Sequence, residues 1–344
     1  MRAIVAHAAR DLRIEEVETP ELDAHDVRVR IARGGICGSD LHYFNHGGFG
    51  VVRIREPMIL GHEVSGVVEA VGAAVTRVTP GVAVAVNPSR PCNHCLYCLE
   101  GKQNHCLDMR FYGSAMRFPH VQGAFREALV CDEAQAHVAP GNLSLGEAAM
   151  AEPLSVCLHA VRRAGSLLGK RVLITGCGPI GALACLAARR AGASEIVVTD
   201  VAESALAFAR RVGADAVVSV AGGAEGLAPY RANKGHFDVA FEASGAAPAL
   251  IAAIEVVRPQ GIIVQLGLGG DMTLTVNAIT AKEMELRGTF RFHEEFATAL
   301  SFMADGLIDV KPLITATAPL EDAVEAFQLA SDRTKAMKVQ IAFS

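Results

Sequence analysis

The sequence predicts an α/β protein in two parts, one β-rich and one a doubly wound parallel sheet, and three observations carry that expectation. Length is the first: 344 residues exceed what one ordinary core holds, so about two domains with a cleft between them are expected. Composition is the second. The chain is 51% hydrophobic and 20% charged with 33 glycines, which suits buried strands joined to helices by tight turns. The third is a change of pattern along the chain: short Val-rich runs bounded by Gly and Pro come first, and regular βα alternation follows from Lys170.

In the β-rich part, Val27 to Ala32 alternates apolar and charged residues, and Val64 to Ala70 and Gly81 to Val86 are short strand runs. Close spacing of such strands suggests an irregular barrel or partly open sheet. Among them lies Arg33 to His42, RGGICGSDLH, which gathers a thiol, a hydroxyl, a carboxylate and an imidazole within a few positions. Such a cluster needs a metal or a substrate to explain it. Downstream, Gly61-His62-Glu63 supplies partners, and Cys37, His62 and Glu63 fit the three-ligand set of a catalytic zinc. For Cys37 alone a buried structural thiol is the simpler reading; a His-Glu pair after a glycine turn, costly to bury idle, argues against it. Glu152, in Ala151-Glu152-Pro153-Leu154, is either a fourth ligand or a neighbour that exchanges with water. The stretch Tyr43 to Pro57 reads as a loop walling a pocket.

Cys92-x2-Cys95-x2-Cys98-x7-Cys106 places four thiols in fifteen residues, a pattern for tetrahedral structural zinc in a lobe of about residues 90–108. An iron-sulfur cluster would end C-x3-C-P, which this run does not. His94 and His105 are expected to be non-ligands. Cys131, Cys157, Cys177 and Cys185 lack ligand spacing and read as small buried hydrophobes.

Lys170 to Thr175 is a strand run leading into Gly176-Cys177-Gly178-Pro179-Ile180-Gly181, then a helical run to Ala191, then Glu195 to Asp200. Strand, glycine turn, helix, strand and acid form the dinucleotide fingerprint. Gly178 lets the backbone approach the pyrophosphate at a helix N-terminus, and Asp200 suits the adenosine ribose hydroxyls. With no Arg between Asp200 and Arg210, NAD is favoured, with NADP possible. Further strands are expected at Ala216 to Val220, Phe237 to Phe241, Gly261 to Gly267 and Leu286 to Phe290. Ligands of such sheets lie at strand carboxyl ends, which puts Ser244, Leu266, Gly267 and Leu268 near the nicotinamide. Helices near Phe296 to Asp305 and Leu320 to Ala330 and a strand from Met337 to Phe343 close the chain. The expected division is 1–153 plus 290–344 for the β-rich domain and 154–289 for the inserted nucleotide domain.

A net charge of −5 gives no basic field for nucleic acid. No apolar run approaches the length of about 20 residues that crosses a bilayer. A soluble cytoplasmic protein is expected, and nine cysteines in such a compartment argue for metal ligands rather than disulfides.

These motifs, in this order and spacing, resemble the zinc-dependent medium-chain dehydrogenase family over nearly the whole chain. The resemblance implies a GroES-like catalytic domain, a Rossmann domain, and zinc between them held by Cys37, His62 and Glu63 with Glu152 close by. It further implies that Asp40 orients His62, and that Ser39 and His42 relay a proton. It places Tyr43 and Arg291 against the substrate, with Arg53, Arg55, Arg110 and Arg117 as alternative partners for a substrate carboxylate. Glutamate at 63 and 152 resembles the polyol branch. Asn87 to Cys92, Met109 to Met116 with Phe118 to His120, and Gly288 to Phe292 resemble members acting on a sugar acid. Hydride transfer from a secondary hydroxyl of a sugar acid to NAD is therefore expected, with a neutral polyol as the alternative substrate and a non-catalytic zinc- and nucleotide-binding protein as a remote one. Relatives imply a homodimer or homotetramer.

Overall fold

The computed structural model describes residues 1–343. Its second half is a six-stranded parallel sheet ordered Ala216–Ser219, Glu195–Asp200, Arg171–Thr175, Phe237–Glu242, Val257–Gln265, Glu285–Gly288. Arg171–Thr175 is the first of these in the chain and lies beside the fourth, so the strand order reverses between them. Its Val172, Leu173 and Ile174 are wholly buried, as a strand covered on both faces requires. The helix Pro179–Arg190 covers one face with Leu183, Ala184 and Ala187, and Ala247–Val256 covers the other.

In the β-rich half a seven-stranded sheet is built around Asp26–Gly35. That strand pairs antiparallel with Glu63–Val71, Ala128–Asp132 and Lys338–Ala342, so the chain's end is stitched beside its beginning. Its core holds Ile31, Leu129, Phe125, Phe327 and Ile341. The elements expected from sequence are present, with two differences. Residues Gly38–His46 form a helix, where the tract from Tyr43 onward reads as loop in the sequence. The packing also draws no sharp boundary at residue 290: Phe292, Phe296, Ala299, Leu300 and Met303 lie in one core with Leu183 and Ala187 of the nucleotide half and Ala85 and Ala139 of the β-rich half. No helix of the described residues is long and apolar enough to cross a membrane.

The seam between the halves is the helix Ala151–Ala164, which packs on both Pro179–Arg190 and Glu295–Ala304. Glu295 fastens it. Its carboxylate meets His159 Nδ1 at 3.0 Å, accepts from Arg162 at 2.9 Å, and accepts from the His293 N–H at 2.9 Å. Burial alone would raise its pKa, but hydrogen bonds from His159 and from backbone N–H groups outweigh burial and bring it to about 2. A carboxyl depressed in the folded state stabilises at pH above its ordinary value of 4.5 and loses that contribution as the pH falls toward about 2. Glu295→Gln is expected to cost about 2 kcal/mol at pH 7 in urea unfolding. The gap to the native chain should shrink as the pH drops below 4.5; a gap constant with pH would mean that the charge of Glu295 is not what fastens the seam.

Candidate active site

The strand Asp26–Gly35 runs straight into the helix Gly38–His46, and Cys37 is the helix's N-cap. Asp40, wholly buried, accepts the Cys37 N–H at 3.0 Å through one oxygen and the Gly61 N–H at 3.1 Å through the other. It thus ties the turn carrying Cys37 to the turn carrying His62. Gly61 has φ +90°, and a Cβ there would come within 2.1 Å of the Phe125 ring, so only glycine fits. Asp40 does not hydrogen-bond His62: its Oδ1 is 3.8 Å from His62 Nδ1, and its two oxygens accept from backbone donors.

Cys37, His62 and Glu63 converge, their ligand atoms all within 4.8 Å of one another. His62 Nδ1 is buried and has no hydrogen-bond partner. A thiol, an imidazole and a carboxylate converging in a buried place suit a borderline divalent cation such as zinc. Burial first, and Glu63 second, push the Cys37 thiol up to about 12, a balance that a cation among the three would reverse.

Glu63 has a partner that the motif does not announce. Lys338, from the last strand, donates to its two oxygens at 2.9 and 2.7 Å and to the Ile36 carbonyl at 3.1 Å. Room for the pair comes from Gly35, directly across the ladder from Glu63: a Cβ there would stand 2.2 Å from the carboxylate.

Glu152, on the first turn of Ala151–Ala164, is buried but outside that group of three. Burial, with Glu63 and Cys37 adding, pushes it up to about 8. Ser39 and His42 are half-buried and three residues apart, hence on one helix face. Tyr43 differs from expectation. It is 1% exposed in the core, and its hydroxyl accepts the Ala115 N–H at 3.0 Å, because position 43 falls on the inward face of the helix. Arg291, at φ +54°, lays its guanidinium 4.1 Å from the Phe111 ring centre and 4.9 Å from that of Phe290, and donates to Met116 Sδ at 3.4 Å. The Phe111 ring also lies against His62, 5.5 Å between centres. Burial lowers Arg291 to about 10, so it stays cationic at neutral pH.

Cys92, Cys95, Cys98 and Cys106 form a second group with all sulfurs within 4.8 Å. The Cys92 N–H and the Asp108 N–H point at Cys106 Sγ, at 3.1 and 3.3 Å, which suits thiolates around a metal. His94 bonds the Cys92 carbonyl and His105 stacks on Phe290, both outside the group. The other four cysteines are buried.

At the nucleotide half, Gly176 has φ +84° and Gly178 caps the helix that Pro179 and Ile180 begin. A Cβ on Gly181 would fall 1.9 Å from the Gly176 carbonyl, so the turn closes only with glycine. Asp200 accepts the Cys177 N–H at 2.6 Å and the Ala202 N–H at 2.9 Å, bracing the turn from the end of its strand. Ser244, Leu266 and Gly267 lie half-buried just past strand carboxyl ends, while Leu268 is 71% exposed.

A half-buried thiol beside a buried imidazole and carboxylate on one half, and a dinucleotide turn on the other, define a metal-assisted dehydrogenase. The chain belongs to the zinc-binding alcohol dehydrogenases: residues 23–141 match the alcohol dehydrogenase GroES-like domain, and residues 179–305 match the zinc-binding dehydrogenase domain. It is therefore an enzyme of the zinc-dependent, NAD(P)-using alcohol and polyol dehydrogenase kind. It is 44% identical to L-idonate 5-dehydrogenase (NAD(P)(+)) of Escherichia coli over 95% of this chain and 94% of that one. The crystal structure of L-idonate 5-dehydrogenase from E. coli matches with a TM-score of 0.96 at 42% identity, covering 99% of this chain and 98% of the other. Sorbitol dehydrogenase of Macaca fascicularis is 37% identical over 95% and 91% of the two chains.

Lys338, Phe111 and Met116 are the site neighbours that motif reading misses. Lys338 is one of two polar residues, with Gln340, in the strand run Met337 to Phe343, and Phe111 and Met116 fall in the stretch Met109 to Met116 without a role of their own. Lys338→Met strands a buried carboxylate, so metal-stripped protein is expected to lose about 3 kcal/mol in urea unfolding. Adding Glu63→Gln should return part of it; a loss below about 1 kcal/mol would mean that Glu63 finds water instead.

Proposed function

We propose that this chain oxidises the C5 hydroxyl of L-idonate, or of a closely similar sugar acid, to 5-keto-D-gluconate with NAD, releasing NADH and a proton. The observation that carries the sugar-acid reading is Arg291. Among the described residues this half-buried guanidinium has no carboxylate in hydrogen-bonding contact, only two aromatic faces and a thioether sulfur. A cation kept from water this way is suited to an anionic substrate. The similarity to L-idonate 5-dehydrogenase supports the same reading.

Cys37, His62 and Glu63 would hold the metal, with Glu152 beside them, and Cys92, Cys95, Cys98 and Cys106 would hold a structural zinc. Zinc at the first site supplies Lewis-acid polarisation of the reacting hydroxyl, and the nicotinamide is the hydride acceptor. Ser39 takes the proton of that hydroxyl while its own proton passes outward, through the cofactor ribose, to His42. Burial first, then His46 and Arg333, lower the His42 pKa, so its ring is neutral and able to accept at pH 7. Arg291 clamps the C1 carboxylate and fixes which hydroxyl meets the metal. Asp200, with no arginine before Arg210, supports NAD over NADP.

Initial rates of NADH formation with L-idonate and L-iditol, which differ at C1 alone, decide the substrate class. A strong preference for idonate is expected, and a preference for iditol would make this a polyol dehydrogenase. Arg291→Ala should raise KM for idonate at least about tenfold and leave iditol within about twofold; equal effects remove Arg291 from the carboxylate. His42→Ala should lower kcat about tenfold near pH 7. Because the lowered His42 loses its base form below its ordinary pKa of 6.5, the acid limb of the native profile lies beneath that pH and should be absent from the variant.

A further inference from the structure

We propose that Glu242, outside both the glycine turn and the metal cluster, positions the shelf under the nicotinamide half of the cofactor; only the identity of that ligand rests on the dehydrogenase reading above. Glu242 ends the strand Phe237–Glu242, which lies beside Arg171–Thr175 where the strand order reverses. Ligands of such sheets lie across the carboxyl ends at that point.

Glu242 is wholly buried, and among the described residues no lysine or arginine pairs with it. A carboxylate in that position must replace its water with hydrogen bonds, and it draws them from three strand ends. Oε1 accepts the Ser244 N–H at 2.9 Å, the Ser244 hydroxyl, and the Thr175 hydroxyl at 3.3 Å. Oε2 accepts the Gly245 N–H at 3.0 Å and the Gln265 side-chain amide at 2.5 Å. The helix Ala247–Val256 begins just beyond, and its N-terminus favours the anion.

The amide of Gln265 is thereby fixed. It also donates to the Gly267 carbonyl at 2.8 Å, which leaves its own oxygen buried and unpartnered. Turning the amide over would set that oxygen against the Glu242 carboxylate, so the orphan is forced. The segments gathered this way touch closely: a Cβ on Gly176 would stand 2.8 Å from Ser244 Cβ, and one on Gly267 would stand 2.1 Å from the Gly245 nitrogen. From Gln265 the ordering continues, since its backbone carbonyl accepts the Thr289 N–H at 3.2 Å, two residues before Arg291.

The donors to Glu242 belong to the last residues of these strands and the loops that follow, so what it orders is the carboxyl edge of the sheet. The adenosine half of the cofactor is served from the other side of Arg171–Thr175, by the glycine turn and Asp200. All its donors but the Thr175 hydroxyl lie on the nicotinamide side, so Glu242 acts chiefly on that half of the ligand.

Glu242→Gln keeps the shape but offers one acceptor oxygen and an NH2 group to neighbours that are all donors. The purified full chain and the variant are titrated with NADH by fluorescence and with ADP-ribose, which lacks the nicotinamide, by calorimetry. The Kd for NADH is expected to rise about tenfold in the variant, and that for ADP-ribose to stay within about twofold. An unchanged NADH affinity, or equal weakening of both ligands, overturns the proposal. Should Glu242→Gln fail to fold, Gln265→Met removes one donor from Glu242. It is expected to weaken NADH about threefold with ADP-ribose unmoved, and an unmoved NADH affinity again overturns the role. A native chain that does not bind NADH overturns the dehydrogenase reading itself, an outcome distinct from native binding with an unaltered variant.

Discussion

Lys338 and Glu63 meet inside the protein across 275 residues of chain, and much of the architecture follows from that contact. A buried ammonium and a buried carboxylate are each expensive to remove from water, and the attraction repays the cost only with close geometry and the remaining protons satisfied. Here both carboxylate oxygens and the Ile36 carbonyl take the ammonium's hydrogens. The geometry exists because Lys338–Ala342 is laid beside Asp26–Gly35, whose other neighbour carries Glu63. The chain must therefore leave the β-rich half, build the parallel sheet, and return to the same strand it left. An inserted nucleotide half is the topological result, and the proposed metal site lies at the strand that both ends of the chain share.

How much of this the sequence discloses depends on how far apart the interacting residues are. The Cys92 to Cys106 run and Gly176 to Gly181 are legible because their chemistry is closed within a few residues, and the geometry that uses them is local. Cys37 and Gly61-His62-Glu63 are legible as parts, since each carries a residue type that is costly to bury without a task. What stays hidden is decided by contacts between distant segments. Lys338 resembles any strand lysine until the ladder places it. Tyr43 has the look of a cleft residue, yet helix phase turns it inward to the Ala115 N–H. Asp40 proves to be a brace for two turns, its oxygens accepting the Cys37 and Gly61 N–H groups, with His62 Nδ1 3.8 Å away. The boundary near residue 290 blurs for the same reason: Phe292 and Phe296 are apolar in either half, and they pack in a core that both halves share.

That helix does more than separate the halves. Its first turn carries Glu152 toward the group Cys37, His62 and Glu63, and its later turns, through His159 and Arg162, hold the segment that carries Arg291. A movement of the nucleotide half relative to the metal cluster would have to carry or break these contacts. Glu152, Arg291 and the seam are consequently one mechanical unit.

Charge in the cleft then bears on what the site accepts. Cys37, Glu63 and Glu152 bring negative charge when ionised, and Lys338 and Arg291 bring positive charge. Lys338 is spent on Glu63, and of these two Arg291 is free to meet a ligand. Glu152 is near enough to favour the charged form of Arg291 but makes no hydrogen bond to it, and burial pushes Glu152 toward its neutral form. A neutral polyol would leave the guanidinium as it is, partly desolvated over Phe111. A carboxylate about 4 Å away gains about 4 kcal/mol of attraction at the effective dielectric typical of protein surfaces, before its own desolvation is subtracted. Even a quarter of that separates an acid from the alcohol of the same shape by roughly fivefold, so the discrimination proposed for this enzyme needs only one unspent cation, held in place by aromatic rings.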